Sequence, residues 1–347
     1  MVNRINHLFA TKRENILSIY FCAGHPTLDS TADTIRTLEQ KGVDMIEVGI
    51  PFSDPMADGP VIQDAATKAL RNGMTLKKLF SQLEELDRSP LLTSPKGEEN
   101  HPDSTSSLQS KEPCPDGKSS PQSKEPCPDS TSSLQSKEPC PDSTSSLQSK
   151  EPCPDGKSSP QSKEPCPDGK SSPLGGTGGG LPLILMGYLN PIMQFGFEQF
   201  CQRCVEVGID GVIIPDLPFK DYLEEYKPVA DRYDIRIIML ITPETSDERI
   251  RFIDDHTDGF IYMVSSASTT GAQQSFGDQK QAYFSRIQAM HLKHPCMIGF
   301  GISNKQTLEA AQSHAAGAII GSKFVKLYEE TQDAGEAMDK LLEALKN

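Results

Sequence analysis

The sequence predicts an α/β fold: one (β/α)8 TIM barrel with a long disordered repeat insertion between its second helix and third strand. Three observations carry that prediction. Eight short apolar, β-branched runs alternate with stretches of helical periodicity, which implies a parallel sheet, and eight strands can close such a sheet into a barrel. The 92 residues from Ser89 to Gly180 read as non-globular, and removing them from the 347 leaves 255, close to the roughly 250 of a single barrel. The first strand candidate runs into CAGHP, where a doubly wound sheet would carry a glycine fingerprint.

In chain order, a first strand over Ser18–Cys22 leads to an amphipathic helix over Thr31–Lys41, and a second strand over Met45–Gly49 to a helix over Thr75–Leu86. After the insertion come strand Leu181–Met186 with helix Phe197–Val207, then strand Gly211–Ile214 with helix Lys220–Arg232. Strand Arg236–Ile241 is followed by helix Asp247–Asp255, and strand Gly259–Val264 by helix Gln279–His291. Strands Cys296–Gly299 and Gly317–Ile320 flank helix Lys305–His314, and a last helix covers about Asp333–Leu345. The catalytic domain is thus residues 1–88 plus 181–347, and 89–180 is the insertion.

The insertion is an internal repeat. SKEPCPDGKSSPQ at Ser110 and SKEPCPDSTSSLQ at Ser123 begin a 13-residue period that returns at Ser136, Ser149 and Ser162. Each copy is rich in Pro and Ser and nearly devoid of apolar side chains, so it cannot bury enough surface to offset its ordering entropy. One Cys per repeat lacks the paired spacing of a zinc site. LGGTGGG (Leu174–Gly180) precedes a strand, whereas a phosphate loop follows one, so it reads as a flexible linker. The expected insertion point is the N-terminal end of the barrel, away from the catalytic end.

Composition excludes several functional classes. A net charge of -14 argues against nucleic acid, which needs clustered Lys/Arg, and no polybasic face suits an anionic membrane. A phosphorylated small molecule can still bind an acidic chain through backbone N–H groups. No apolar run approaches a membrane span and no signal peptide is visible, so a cytoplasmic location is expected. Of nine cysteines, five sit in the repeats and four (Cys22, Cys201, Cys204, Cys296) lie in apolar segments, as reduced core cysteines do. Cys201 and Cys204 form a C-x2-C on an amphipathic helix without a second pair, which favours packing over metal, and no cluster has metal-ligand spacing.

In a barrel of this kind function sits just past the C-terminal ends of the strands. Strand two reads MIEVGIPFSDPMADGP. Glu47 lies inside the apolar strand, where a carboxylate is costly unless it has a role or a partner. Burial would raise its pKa and let it give or take a proton near neutrality. Asp58 follows on a proline-stiffened loop, and two carboxylates in unlike environments are the arrangement that separates acid from base roles. The structural alternatives are a core ion pair for Glu47 and a helix N-cap for Asp58 ahead of Pro60–Leu70. Strand six leads into a small, polar loop suited to a lid that closes over substrate, and Tyr262 in that strand is either a core aromatic or a hydroxyl reaching the site. Glycines at the ends of strands seven (IGFGIS) and eight (AIIGSKFVK) match the phosphate site of these barrels, with tight turns as the structural alternative. His25 reads as a turn residue that could line the site.

The run VDMIEVGIPFSDPMADGPVIQ resembles the strand-two signature of the tryptophan synthase alpha subunit family. GFGIS, AGAIIGS and the YxxSxAxxTG pattern of Tyr262–Gly271 match that family in the same order. The resemblance covers residues 1–88 and 181–347 and none of the insertion. It implies retro-aldol cleavage of indole-3-glycerol phosphate to indole and glyceraldehyde 3-phosphate. By resemblance Glu47 is the acid–base residue and Asp58 hydrogen-bonds the indole N–H. Tyr262 lines the site, Gly271, Gly301, Gly321 and Ser322 bind phosphate, and Thr270 and Gly271 belong to the closing lid. Tyr20, Tyr188 and Asp216 fall near the indole pocket or a subunit interface. The resemblance also implies a beta-subunit partner in an α2β2 assembly; the pyridoxal phosphate belongs to that partner, with no cofactor in this chain.

Three other readings make different predictions. An indole-glycerol phosphate synthase would want a strand-end lysine, and none of the strand ends above offers one. A non-catalytic activating subunit would have lost Glu47 or Asp58. A stand-alone indole-releasing lyase would share the same residues.

Overall fold

The computed structural model describes residues 3–86, 88, 180–265 and 277–346. Its eight parallel strands close on themselves in chain order, β1 pairing with both β2 and β8. They are β1 Ile16–Cys22, β2 Met45–Gly49, β3 Leu183–Met186, β4 Gly211–Ile213, β5 Arg236–Ile241, β6 Ile261–Val264, β7 Cys296–Gly299 and β8 Gly317–Ile320. Four of them, β2, β3, β4 and β8, are buried along their whole length, as strands covered on both faces are. Gly317 makes closure possible: a Cβ there would stand 2.0 Å from the Ile16 carbonyl oxygen on β1.

The helices are α1 Arg4–Thr11, α2 Thr31–Gln40, α3 Pro60–Arg71, α4 Leu76–Glu84, α5 Leu189–Phe195, α6 Phe197–Glu206, α7 Phe219–Asp221, α8 Lys227–Arg232, α9 Asp247–His256, α10 Asp278–Ala289, α11 Lys305–Gln312, α12 Ser322–Thr331 and α13 Ala334–Lys346. Four strands and their predicted limits coincide. The third starts at Leu183 instead of Leu181, because Pro182 has no N–H to give to a ladder. The sixth starts at Ile261, since Gly259 sits at φ +86°. The expected helix over Lys220–Arg232 is interrupted by a π segment over Tyr222–Tyr226. There the Lys227 N–H reaches back to the Tyr222 carbonyl, one residue further than in an α-helix, and Pro228 follows with no N–H for the regular pattern.

Helix α1, which the sequence pattern does not predict, plugs the N-terminal mouth of the barrel. Asn3 caps it by accepting from the Ile5 N–H (2.9 Å) and donates through Nδ2 to the carbonyls of Asp210 and Asp234. Ile5 packs over the bare backbones of Gly211 and Gly259. Arg4 donates through Nε to the buried Asp210 carboxylate at 2.7 Å, and Asp210 also accepts the Leu183 N–H. Arg88 joins this cluster: its side chain is 5% exposed and donates to the Leu181 carbonyl, and burial lowers its pKa to about 10. The two ends of the predicted insertion therefore touch at the N-terminal end of the barrel. Residues 89–179 themselves lie outside the described residues.

Cys22, Cys201 and Cys204 are buried and Cys296 is half-buried, all as free thiols. Among the described residues no helix is long and apolar enough to cross a membrane.

Candidate functional site

At the opposite end, β2 carries Glu47 into the barrel interior. It is fully buried, and its Oε1 accepts from the Ser18 hydroxyl on neighbouring β1 at 3.0 Å. Its Oε2 has no hydrogen-bond partner among the described residues. A core ion pair is therefore ruled out as the reason for a charge in this strand. Burial raises the Glu47 pKa to about 8, with the Ser18 bond pulling the other way. Such a carboxyl is mostly protonated at neutral pH and close to the point of release.

Asp58 follows in a turn closed by its own N–H on the Pro55 carbonyl (3.1 Å). The sequence places this carboxylate on a proline-stiffened loop, and the structure buries it there, with Asp58 7% exposed. Nor does it cap the next helix, because Gly59 holds the N-cap position of α3 and Pro60 follows at the first turn. Its Oδ2 instead accepts from the Tyr188 hydroxyl at 2.9 Å, and that hydroxyl in turn accepts the Ala57 N–H at 2.9 Å. Burial raises the Asp58 pKa to about 6, against the lowering effect of Tyr188. The two carboxyls thus share a mechanism of perturbation and differ in degree.

A cavity opens at this end, walled by Tyr20, Asp58, Ile62, Met186, Tyr262, Phe300, Gly301, Ile302, Ile319, Gly321, Ser322 and Lys323. Glu47 is not in the wall, but Tyr20 and Tyr262, which are, both feel its charge and that of Asp58. Their position depends on two strand-end glycines. A Cβ on Gly49 would lie 2.1 Å from the Tyr20 hydroxyl oxygen, and one on Gly299 would lie 2.2 Å from that of Tyr262. Burial raises both phenol pKa values well above the ordinary range, so both stay protonated as donors.

The polar floor comes from β7 and β8. Phe300 and Gly301 both adopt left-handed backbone, φ +70° and +84°. For Phe300 this is strained, because its Cβ crowds the backbone. Ser265 at the end of β6 holds the turn: its hydroxyl donates to the Phe300 carbonyl at 2.6 Å and its N–H to that of Gly299 at 3.2 Å. Gly321 and Ser322 form the start of α12, which has no side-chain cap and no acid in its first turn, so its N–H groups are available to an anion.

Of the residues expected at the site, Tyr20, Asp58, Tyr262, Gly301, Gly321 and Ser322 line one cavity. Thr270 and Gly271 lie outside the described residues, as does the rest of 266–276. Tyr188 is not in the wall but holds Asp58, and Asp216 accepts the Leu189 N–H at the start of α5 (2.9 Å). His25 is 1% exposed, packed edge-on against Tyr328 and 3.6 Å from the Glu329 carboxylate, away from the cavity. Cys201 and Cys204 are core residues of α6, and among the described residues no cluster of His, Cys, Asp or Glu could hold a metal. Of the apolar wall residues, Phe300 and Ile302 lie in the IGFGIS run, and Met186 carries no sequence signal beyond belonging to a core segment. Lys323 lies inside the strand-eight run AIIGSKFVK but is assigned no role from the sequence; there is thus a lysine near a strand end after all, in the first turn of α12.

A family model described as tryptophan synthase alpha chain matches residues 7–94 and 176–347. The chain is similar to the tryptophan synthase alpha chain of Phocaeicola vulgatus, 53% identical over 347 residues and covering 100% of each. It is 50% identical to that of Bacteroides thetaiotaomicron over 99% of this chain and 100% of the relative. Among solved structures it resembles tryptophan synthase subunit alpha from Legionella pneumophila, 25% identical, TM-score 0.65, over 99% of this chain and 97% of the other. A chain of the Pyrococcus furiosus tryptophan synthase complex shares the fold at 24% identity, TM-score 0.63, over 96% and 98% of the two chains.

Burying Glu47 has a consequence for stability. Its folded pKa of about 8 lies above the ordinary 4.5, so the unfolded chain releases this proton first and stability falls as pH rises between those values. Replacing Glu47 by Gln removes that slope. The melting temperature of Glu47→Gln relative to the parent should climb from pH 5 to pH 9; a difference independent of pH would contradict the burial argument.

Proposed function

The chain belongs to the tryptophan synthase alpha chain family, and from that premise we propose how its own residues perform the reaction. The activity is carbon–carbon lyase chemistry in tryptophan biosynthesis: retro-aldol cleavage of indole-3-glycerol phosphate to indole and glyceraldehyde 3-phosphate. The observation that carries the residue assignment is the fully buried Glu47, with one carboxyl oxygen on Ser18 and the other unpartnered among the described residues.

Glu47 starts protonated and delivers its proton to C3 of the indole ring, which leaves positive charge on the ring nitrogen. Asp58, ionised and fixed by Tyr188, accepts the indole N–H hydrogen bond and stabilises that charge. The glycerol carbon bonded to C3 then loses its hydroxyl proton to the Glu47 carboxylate as the carbon–carbon bond breaks. That carbon becomes the aldehyde of glyceraldehyde 3-phosphate, the bonding pair restores the aromatic ring, and Glu47 is protonated again. Because its carboxyl rests on Ser18 and not in the cavity wall, the side chain must turn toward the substrate for both transfers. Tyr262 and Tyr20 line the indole region. Gly301, Gly321 and Ser322 hold the phosphate, joined, on the family resemblance, by Thr270 and Gly271 of the closing lid.

The domain reading is part of the same proposal: residues 1–88 and 181–347 form the catalytic barrel, and 89–180 takes no part in chemistry. Its support is the Arg88–Leu181 contact and the family match, which leaves residues 95–175 uncovered. Indole passes to a beta subunit that carries pyridoxal phosphate, in an α2β2 assembly in the cytoplasm; this chain uses no cofactor of its own.

The direct test is indole release from indole-3-glycerol phosphate by the purified chain, with and without a beta subunit, and by a variant with Ser89–Gly180 replaced by a short turn. Slow release that the partner accelerates, equal in both forms, is expected. Fast release unaffected by the partner would identify a stand-alone lyase, and loss of activity in the shortened form would overturn the domain reading.

The pH profile tests the roles. Asp58 works ionised and Glu47 starts protonated, so kcat/KM should rise through about 6 and fall through about 8. The Ser18 bond lowers the Glu47 pKa, so Ser18→Ala should move the alkaline limb to higher pH. An alkaline limb that stays in place would separate it from Glu47.

A further inference from the structure

We infer that Lys323 is the cationic partner of the substrate's phosphate, and so selects a phosphorylated over a neutral glycerol tail; this rests on the substrate reading above. Among the described residues lining the cavity it is the one side chain with a fixed positive charge, and Asp58 is the one carboxyl. It stands in the first turn of α12, next to Ser322 and Gly321, where the phosphate is expected.

Its charge is not already spent. Lys323 makes no ion pair among the described residues, while Lys326 on the same helix pairs with Glu330. The positions three and four residues on are Lys326 and Leu327, so no carboxylate of its own helix face is placed to neutralise it. The side chain is half-buried, as when a lysine lays its methylenes against a wall and presents the ammonium at its end.

Backbone N–H groups can hold a phosphate by themselves, but the charge balance favours a cation beside them. A helix N-terminus presents roughly half a unit of positive charge, whereas a phosphate monoester carries about −1.5 to −2 at neutral pH. Backbone amides at Gly301, Gly321 and Ser322 therefore leave most of that charge uncompensated, in a chain whose net charge is -14 and whose cavity holds Asp58. An ammonium at one part of the wall and a carboxylate at another also fix polarity: the indole N–H goes to Asp58 and the phosphate to Lys323. A substrate bound the other way round would face like charge at the phosphate.

Binding of two separate probes decides it. For Lys323→Met, the Kd for glycerol 3-phosphate should rise roughly tenfold or more, the expected loss for a charge-assisted contact. Its dependence on ionic strength should flatten. The Kd for indole should stay within about twofold, and Lys323→Arg should recover most of the phosphate affinity. Unchanged glycerol 3-phosphate binding, or equal losses for both probes, would overturn the inference, the second by showing a merely structural role. Failure of the substrate reading would appear separately, as a wild-type chain that releases no indole, and the glycerol 3-phosphate comparison would still decide Lys323.

Discussion

A carboxyl group inside a parallel strand has few ways to be accommodated. Paired with a cation it would be a structural ion pair; ionised and alone it would be costly. Glu47 takes a third course, keeping its proton, resting one oxygen on Ser18 and leaving the other without a partner among the described residues. The surroundings depend on this choice. Tyr20 and Tyr262 stand beside it as neutral phenols, and Gly49 and Gly299 give up side chains so that those rings can lie there. A group tolerated at the expense of stability, at the end of the barrel where substrates bind, is the pattern expected of catalytic machinery.

The remaining wall divides its roles between charge and shape. Asp58 owes its position to a tyrosine 130 residues away in the chain, so the β2 loop and the start of α5 act as one unit. The strained Phe300–Gly301 turn is held by Ser265, which ties the end of β6 to the end of β7. The ends of β6 and β7, beside the proposed phosphate site, are thereby tied together without any ligand, which is the preorganisation that electrostatic stabilisation needs. At the N-terminal mouth the requirement is closure, and α1, Asp210 and Arg88 seal it with buried hydrogen bonds and ion pairs.

Much of this was legible in the amino acids, for identifiable reasons. Strands such as Met45–Gly49 and Cys296–Gly299 are apolar runs with abrupt edges, and a glutamate inside one stands out because the physics forbids it without a purpose. Glycine-ended strands seven and eight likewise pointed to bare backbone. What escaped depends on distant partners or on short elements. Helix α5 has only seven residues, and α1 is held by contacts more than 200 residues away that no local pattern announces. The burial of Asp58 depends on Tyr188, and nothing local announces it. Lys323 looks like any charged residue opening a helix; only the closed barrel brings it to the cavity wall.

Proton transfer by the buried glutamate is the claim on which this account stands, and Glu47→Gln tests it with almost no change in shape. Single-turnover indole release from indole-3-glycerol phosphate should be measured for parent and variant alongside glycerol 3-phosphate affinity. The cleavage rate should fall roughly a hundredfold or more, in the range of general acid–base contributions, with affinity within about threefold. Cleavage at near the parental rate, with the same affinity, would show that the proton comes from elsewhere.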